Sequence, residues 1–272
     1  MAPRTGRSLR GCVRLSEACL LLALVGTPAL AAPERVVSMN LCTDQLALML
    51  AALGQLISVG SYAQDPALSP MAEAAKALPA NHGLAEEIYL MAPDLVLTGQ
   101  FSAGPAVAML QDLGIPVQVL PPADTIPQIR DQITLMGDLL GRQDAARSLL
   151  ARFDAGLAAI PHSSKGRAVF YDANGFTAGG QTLTGTVLAQ AGWHNIADDL
   201  GITHSGTLPL EQLVMSAPDL IVTGSRWPGR SRAEAILDHP ALRHAARTPT
   251  VTTDNAWICG TPFILHAIES LP

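Results

Sequence analysis

The side chains of this 272-residue chain that could do chemistry are few and scattered. Its seven histidines occur singly, with no HxH or HExxH pair. A zinc or manganese site wants several histidines and carboxylates converging, so no metal site is expected. Nucleophile and phosphate motifs are missing too, since neither GxSxG nor GxxxxGK(S/T) occurs. The segment Gly179-Gly180-Gln181-Thr182-Leu183-Thr184-Gly185 is glycine-rich and precedes a helical pattern, an arrangement whose amides can meet an anion. It lacks the acidic residue and spacing of a dinucleotide fingerprint, and a ligand-facing turn explains it equally well. Catalysis and a resident cofactor are therefore not expected.

The first thirty-one residues read as a signal peptide. Arg4, Arg7, Arg10 and Arg14 form a basic head, Ala18 to Gly26 is a short apolar run, and Ala29-Leu30-Ala31 supplies small residues for cleavage. The run is far short of the roughly 20 residues that cross a bilayer. Cys19 sits near its start, behind Glu17, which argues against lipidation. The chain is thus expected to be periplasmic and to begin near Ala32. Losing residues 1–31 removes four Arg and one Glu and moves the net charge from −6 to −9. No cationic stripe remains, which excludes a nucleic-acid partner. Cys42 and Cys259 are then the cysteines left, in an oxidising compartment.

The elements that must position any site are announced by a repeat. Glu86 to Gly99 reads EEIYLMAPDLVLTG and Glu211 to Gly224 reads EQLVMSAPDLIVTG, offset by 125 residues with seven of fourteen positions identical. A looser echo pairs Arg35-Val36-Val37 with Arg167-Ala168-Val169, each followed by a helical pattern ending at Gly54 or Gly192. In the first copy the pattern predicts a helix with Ile88, Leu90 and Met91 toward a sheet, stopped by Pro93. Leu95-Val96-Leu97 follows as a short buried strand, and Gly99 opens a turn. Strands alternating with helices predict parallel sheets in two α/β lobes, residues 32–122 and 165–272. Between them, residues 123–164 are helical in pattern. Their second part, Gln143 to Ile160, predicts a rod of about 27 Å that holds the lobes nearly fixed. One larger sheet with a long crossover helix is the alternative.

In this order of elements the chain resembles the helical-backbone periplasmic solute-binding proteins, the cobalamin-, siderophore- and haem-binding components of ABC importers. The resemblance covers the whole mature chain. It implies two Rossmann-like lobes bridged by one long helix, with a ligand cleft between them and little closure. It implies that loops at the strands' carboxyl ends hold the ligand: Asn40, Cys42, Tyr62, Asn81, His82, Gln100 and Phe101 from the first lobe. From the second come Asn174, Phe176, Arg226, Trp227, Trp257 and Cys259. With only eleven aromatics in the mature chain, such a concentration would suit a flat apolar ligand, a metal chelate or corrinoid. Each ring could equally plug the adjacent core.

The resemblance also implies that Glu86 and Glu211 dock a dimeric permease through arginine pockets. Helix capping is the plain alternative, since a carboxylate favours a helix start. Cys42 and Cys259 fall at the cleft edges of opposite lobes, where a disulfide, two separate thiols or soft metal ligation all fit. A monomer is expected. Direct zinc or manganese binding and a non-transport sensor or scaffold on the same fold are the competing readings. The chain ends at Glu269-Ser270-Leu271-Pro272, where members of that family continue a final helix, which leaves room for a longer gene product.

Overall fold

The computed structural model describes residues 31–272, apart from Ala103, Trp227, Pro228, Arg230, His244, Ala246, Thr248 and Pro249. The signal-peptide reading of residues 1–31 falls almost wholly outside the described residues. In the first lobe the strands are β1 (Val36–Ser38), β2 (Leu56–Gly60), β3 (Ala80–Asn81), β4 (Leu95–Gly99) and β5 (Val117–Leu120). Its helices are α1 (Leu41–Leu50), α2 (Ala72–Ala75), α3 (Ala85–Leu90) and α4 (Gly104–Asp112). Then come α5 (Ile126–Leu139) and α6 (Gln143–Ala159). The second lobe has strands β6 (Gly166–Phe170), β7 (Phe176–Ala178), β8 (Trp193–Asn195), β9 (Ser205–Thr207), β10 (Leu220–Thr223) and β11 (Val251–Thr252). Its helices are α7 (Leu183–Gln190), α8 (Ile196–Asp199), α9 (Leu210–Ser216), α10 (Pro240–Arg243) and α11 (Ile264–Glu269).

Two separate sheets result, which removes the single-sheet alternative. One has the order β3-β2-β1-β4-β5 and the other β11-β10-β6-β8, and every pairing in both is parallel. The repeat is visible in their registers. Val36, Val37 and Ser38 face Leu95, Val96 and Leu97, while Ala168, Val169 and Phe170 face Leu220, Ile221 and Val222. The first strand of each lobe therefore lies beside the strand of its own Ala-Pro-Asp-Leu segment. A small antiparallel ribbon, β7 with β9, has no counterpart in the first lobe.

The recurrence of Ala-Pro-Asp and of the distant arginine has one cause. Asp94 accepts the amides of Glu34 and Arg35 at 2.7 and 2.9 Å, and Arg35 reaches back to the carbonyls of Met91 and Ala92. In the second lobe Asp219 accepts the amide of Arg167 at 3.0 Å, and Arg167 donates to the carbonyl of Ser216 at 2.7 Å. The Arg167 amide, with Arg247, holds the Asp219 carboxyl below its usual range. Each arginine thus caps the orphan carbonyls at a helix end, and each aspartate fixes that end to the start of the neighbouring strand. Between them sits an alanine in the left-handed region, Ala92 at φ 47° and Ala217 at φ 46°.

The helix before it turns out shorter than the apolar pattern suggests. Ile88 is buried, but Leu90 is 83% exposed. Two helical positions lie about 200° apart, so Ile88 and Leu90 cannot both face the sheet.

The connection between lobes is a helix pair. Gly141, at φ 66°, turns α5 into α6. The turn is held to the first lobe by Gln55 Nε2 donating to the Leu140 carbonyl at 2.8 Å, and by Arg142 Nε donating to the Leu50 carbonyl at 3.2 Å. Thr125 caps α5 in a capping box with Gln128. At the far end of α6, a Cβ on Gly156 would come within 2.5 Å of Leu265, so its absence lets α11 of the second lobe pack close. One apolar cluster joins the two lobes, from Leu46 and Leu50 through Ile133 and Phe153 to Leu188 and Ile264, while Val37, Ile88 and Val96 in the first lobe and Val169, Leu213 and Ile221 in the second belong to separate clusters. Relieving the left-handed alanines should stabilise the fold, because glycine bears no Cβ penalty there. Ala92→Gly and Ala217→Gly are each expected to raise Tm by about 2–4 °C, read by thermal circular dichroism.

Candidate functional site

A cavity of about 440 Å³ lies between the two sheets, at the carboxyl ends of β1, β4 and β5 on one side and beside the β7–β9 ribbon and the start of α7 on the other. This is where open parallel sheets present their loops to a ligand. From the first lobe Asn40, Cys42, Gln100 and Phe101 line it, joined by Pro121 and Pro122. The Asn40 side chain caps α1 by accepting the amides of Cys42 and Thr43, and its Nδ2 donates to Ser102 Oγ at 3.0 Å. Gly99 must be glycine for this, since a Cβ would sit 2.8 Å from Asn40 Nδ2. Phe101 projects freely, 86% exposed.

The second lobe answers with Phe176 and Trp257. Phe176 is braced edge-on by Phe170, ring centroids 6.1 Å apart, yet remains 43% exposed. Trp257 is 7% exposed, its face forming part of the wall. Gln181, Thr182, Thr184 and His204 supply polar groups. Thr182 also caps α7 by accepting the Gly185 amide at 3.1 Å. Across the back, Gln132 of α5 lines the cavity and donates to the Pro121 carbonyl.

The other expected residues lie elsewhere. Tyr62 is exposed and does not line the cavity. Asn81 is buried and spent on structure, its Nδ2 donating to the Ser38 carbonyl at 2.8 Å and to Ser58 Oγ at 2.9 Å. His82 faces outward against Glu87 at 3.3 Å. Asn174 is exposed with φ 57° and forms a tight turn. Arg226 pairs with Asp238 at 3.0 Å beside a separate hollow. Trp227 lies outside the described residues. Sequence reasoning missed His204, whose loop is brought to the cleft by the β7–β9 pairing, a contact with no echo in the repeat. The glycine-rich turn at 179–185 was legible; Gly185 lies so close to Gly179 that a Cβ would meet its carbonyl at 2.2 Å.

Cys42 and Cys259 form a disulfide, with Cα atoms 5.3 Å apart across 217 residues of sequence. Cys42 lines the cavity whereas Cys259 is buried behind it, so neither is a thiol or a metal ligand. The bond belongs to a strap, residues 254–263, that leaves the second sheet and lies on the first lobe. Asn255 Nδ2 donates to the Pro66 carbonyl at 2.8 Å, and Thr261 Oγ1 donates to the buried Gln45 Oε1 at 2.9 Å. Gly260 presses on Ala123, whose carbonyl a Cβ would meet at 2.0 Å. Among the described residues no group of three or more His, Cys, Asp or Glu could hold a metal ion.

Two sheets with a lined cavity between their loop ends, braced on one side by helices and a covalent strap, define a two-lobed ligand-capturing protein. A model of the periplasmic binding protein family matches residues 36–255, and the chain belongs to that family. Its fold, two parallel sheets joined through the helix pair α5–α6, is similar to that of a solved periplasmic solute-binding protein of Staphylococcus epidermidis, at TM-score 0.71 and 18% identity, covering 88% of this chain and 99% of that one. A cobalamin-binding protein of Halobacterium salinarum is 29% identical over 200 residues, 71% of this chain and 54% of that protein. The chain thus spans about half the length of the curated relatives it matches. The periplasmic heme-binding protein HutB of Vibrio cholerae has a similar fold at TM-score 0.69 and 21% identity, covering 86% of this chain and 96% of that one. So does the periplasmic vitamin B12-binding protein BtuF of Vibrio cholerae, at TM-score 0.60 and 21% identity, covering 88% and 94%. Among the described residues no helix is long and apolar enough to cross a membrane.

One ionisable group beneath the cavity gives a measurable handle. Asp44, two residues after Cys42, is fully buried, and its Oδ1 accepts the Gly60 amide at 3.2 Å while Oδ2 has no partner. Burial pushes its carboxyl up to about 7 against hydrogen bonds from Ser38 and Gly60. An unfolded aspartate releases its proton near 4. Between about pH 4 and pH 7 the folded chain therefore holds a proton that the unfolded chain has lost. Stability falls as pH rises through that window, by up to about 1.4 kcal/mol per pH unit, and the contribution levels off above it. Asp44→Asn is expected to flatten this slope, read from urea unfolding at pH 5, 6, 7 and 8.

Proposed function

We propose that the chain is the extracytoplasmic substrate-binding component of an ABC importer, which captures a metal chelate or corrinoid and delivers it to a dimeric permease. The observation that carries this reading is the pairing of aromatic faces across the cleft. Phe101 from the first lobe, Phe176 from the second and Trp257 of the strap line a 440 Å³ space together with polar side chains such as Asn40, Gln100, Gln181 and Thr184. A flat conjugated ligand stacks on such rings, and cavities of this size bury most of a small ligand. His204 is the one imidazole among the cavity's described residues, and it offers a nitrogen to a metal centre held between the rings. A haem and a cobalamin combine a conjugated macrocycle with a metal that takes an axial ligand, and an aryl siderophore offers aromatic rings to stack; the first two also agree with the ligands named for the relatives above.

Delivery would use Glu86 and Glu211. Both are exposed in the first turns of α3 and α9, at equivalent places in the two lobes. Neither carboxylate is paired with a cation among the described residues, which favours docking over a local structural role. Capture is reversible on this reading, with no covalent chemistry in this subunit. The N-terminal basic head and apolar run support export to the periplasm, with lobes at 32–122 and 165–272 joined through 123–164.

Titration of the protein with haemin, cyanocobalamin and ferric siderophores, read by tryptophan fluorescence and visible absorption, tests the capture. One of the three is expected to quench emission saturably. Phe101→Ala and Phe176→Ala should each weaken that binding about tenfold, the worth of a stacked ring. The double variant Glu86→Lys, Glu211→Lys should keep ligand affinity and abolish uptake into proteoliposomes holding the permease. Loss of ligand affinity in that variant would instead put both glutamates in the cleft.

A further inference from the structure

We infer that the membrane partner is gripped by an apolar knob on each lobe, Leu90 and Met215, as well as by the carboxylates beside them. This rests on the permease reading above and adds to it the chemistry of the contact. The 125-residue offset that maps Glu86 onto Glu211 also maps Tyr89 onto Val214 and Leu90 onto Met215. Leu90 and Met215 are each 83% exposed, and Tyr89 and Val214 are exposed as well. The residue between glutamate and knob that faces the sheet, Ile88 or Leu213, is fully buried in both lobes. The two copies thus share one pattern of burial and not merely a motif.

Spacing decides what the pattern is for. Glu86 and Leu90 are four residues apart, as are Glu211 and Met215, so in each helix carboxylate and knob lie on one face, a turn apart. A single exposed leucine is ordinary on a protein surface. Two large apolar side chains at matching positions, each one turn beyond a carboxylate with no cation partner among the described residues, are not accounted for by that. The identities differ, Leu against Met and Tyr against Val, while the apolar character and the exposure persist. Selection for a side chain's own packing would bury it, and neither is buried.

The platform is also rigid. Each knob stands within two residues of a left-handed alanine, and the arginine–aspartate clamp pins that helix end to the adjacent strand. An apolar contact next to an ion pair excludes water from it and raises its worth. The partner this fits is a two-fold membrane protein whose halves each offer an arginine beside an apolar seat. The carboxylates supply the charge complementarity, and the two lobes supply the matching pair of contacts.

The test uses the permease–ATPase complex in nanodiscs, with docking of the full chain measured by interferometry across a salt series. Leu90→Ser with Met215→Ser is expected to weaken docking about 30-fold or more, the loss expected when two central contact residues are removed. Its salt dependence should stay that of the wild type, and so should the haemin and cyanocobalamin titrations. Glu86→Gln with Glu211→Gln should weaken docking and flatten the salt dependence. The exchange Leu90→Met with Met215→Leu should dock as wild type, which separates apolar volume from damage to the helix. If the serine pair docks normally while the glutamine pair fails, the knobs are overturned and the permease reading stands. If the wild-type chain does not dock, both fall. A concentration-dependent dimer in sedimentation that the serine pair abolishes would assign the knobs to a second copy and overturn the proposal.

Discussion

A cleft between two α/β units exists only if something keeps the units apart while holding them together, and here that is the continuous apolar packing along one side. Residues of α1, α5, α6, α7 and α11 belong to one cluster, so the lobes share a core on their inner side in addition to the separate cluster each closes on its outer face. A hinge through that cluster would have to open packed surface, which costs about 25 cal/mol for each Å² of apolar area exposed. The helix pair α5–α6 resists bending for the same reason, and the strap at 254–263 ties the other edge through buried hydrogen bonds and a disulfide. The cavity is therefore largely formed before any ligand arrives. Loops with special geometry, such as Asn40 against Gly99, can then hold fixed positions.

The duplicated clamp shows how a fold repeats a solution without repeating a sequence. Arginine, alanine, proline and aspartate recur because together they end a short helix, turn the chain back through a left-handed residue and seat the next strand. Helix identities drift freely at Ile88 and Leu213, where any branched apolar side chain fills the space. Outside the repeat the lobes diverge. The first lobe extends its sheet with β3, while the second carries the antiparallel ribbon that brings Phe176 to the cleft and places His204 beside it.

What could be read from the chain alone follows this division. The two sheets and the helix from Gln143 were legible because they rest on periodicity, which is a local property. Phe101, Phe176, Trp257, Asn40 and Gln100 were named for the cleft through the family resemblance, and all five line the cavity. Asn81, named with them, does not, because a buried asparagine that bonds the Ser38 carbonyl looks in sequence like any polar loop residue. His204 was hidden for the opposite reason: its place depends on a pairing between segments some thirty residues apart that no motif marks. Leu90 was assigned to the sheet face by its apolar character alone, although the angle between it and Ile88 already forbade both. The partnership of Cys42 with Cys259 needed coordinates, since separation in sequence sets no distance in space.

That partnership closes a ring through both lobes. Cys42 belongs to the first helix and Cys259 follows the last strand of the second sheet, at a sequence separation of 217. The chain from one sulfur to the other is a covalent loop that takes in strands of both sheets and the helices between them, and it is fastened in the wall of the cavity that Cys42 lines.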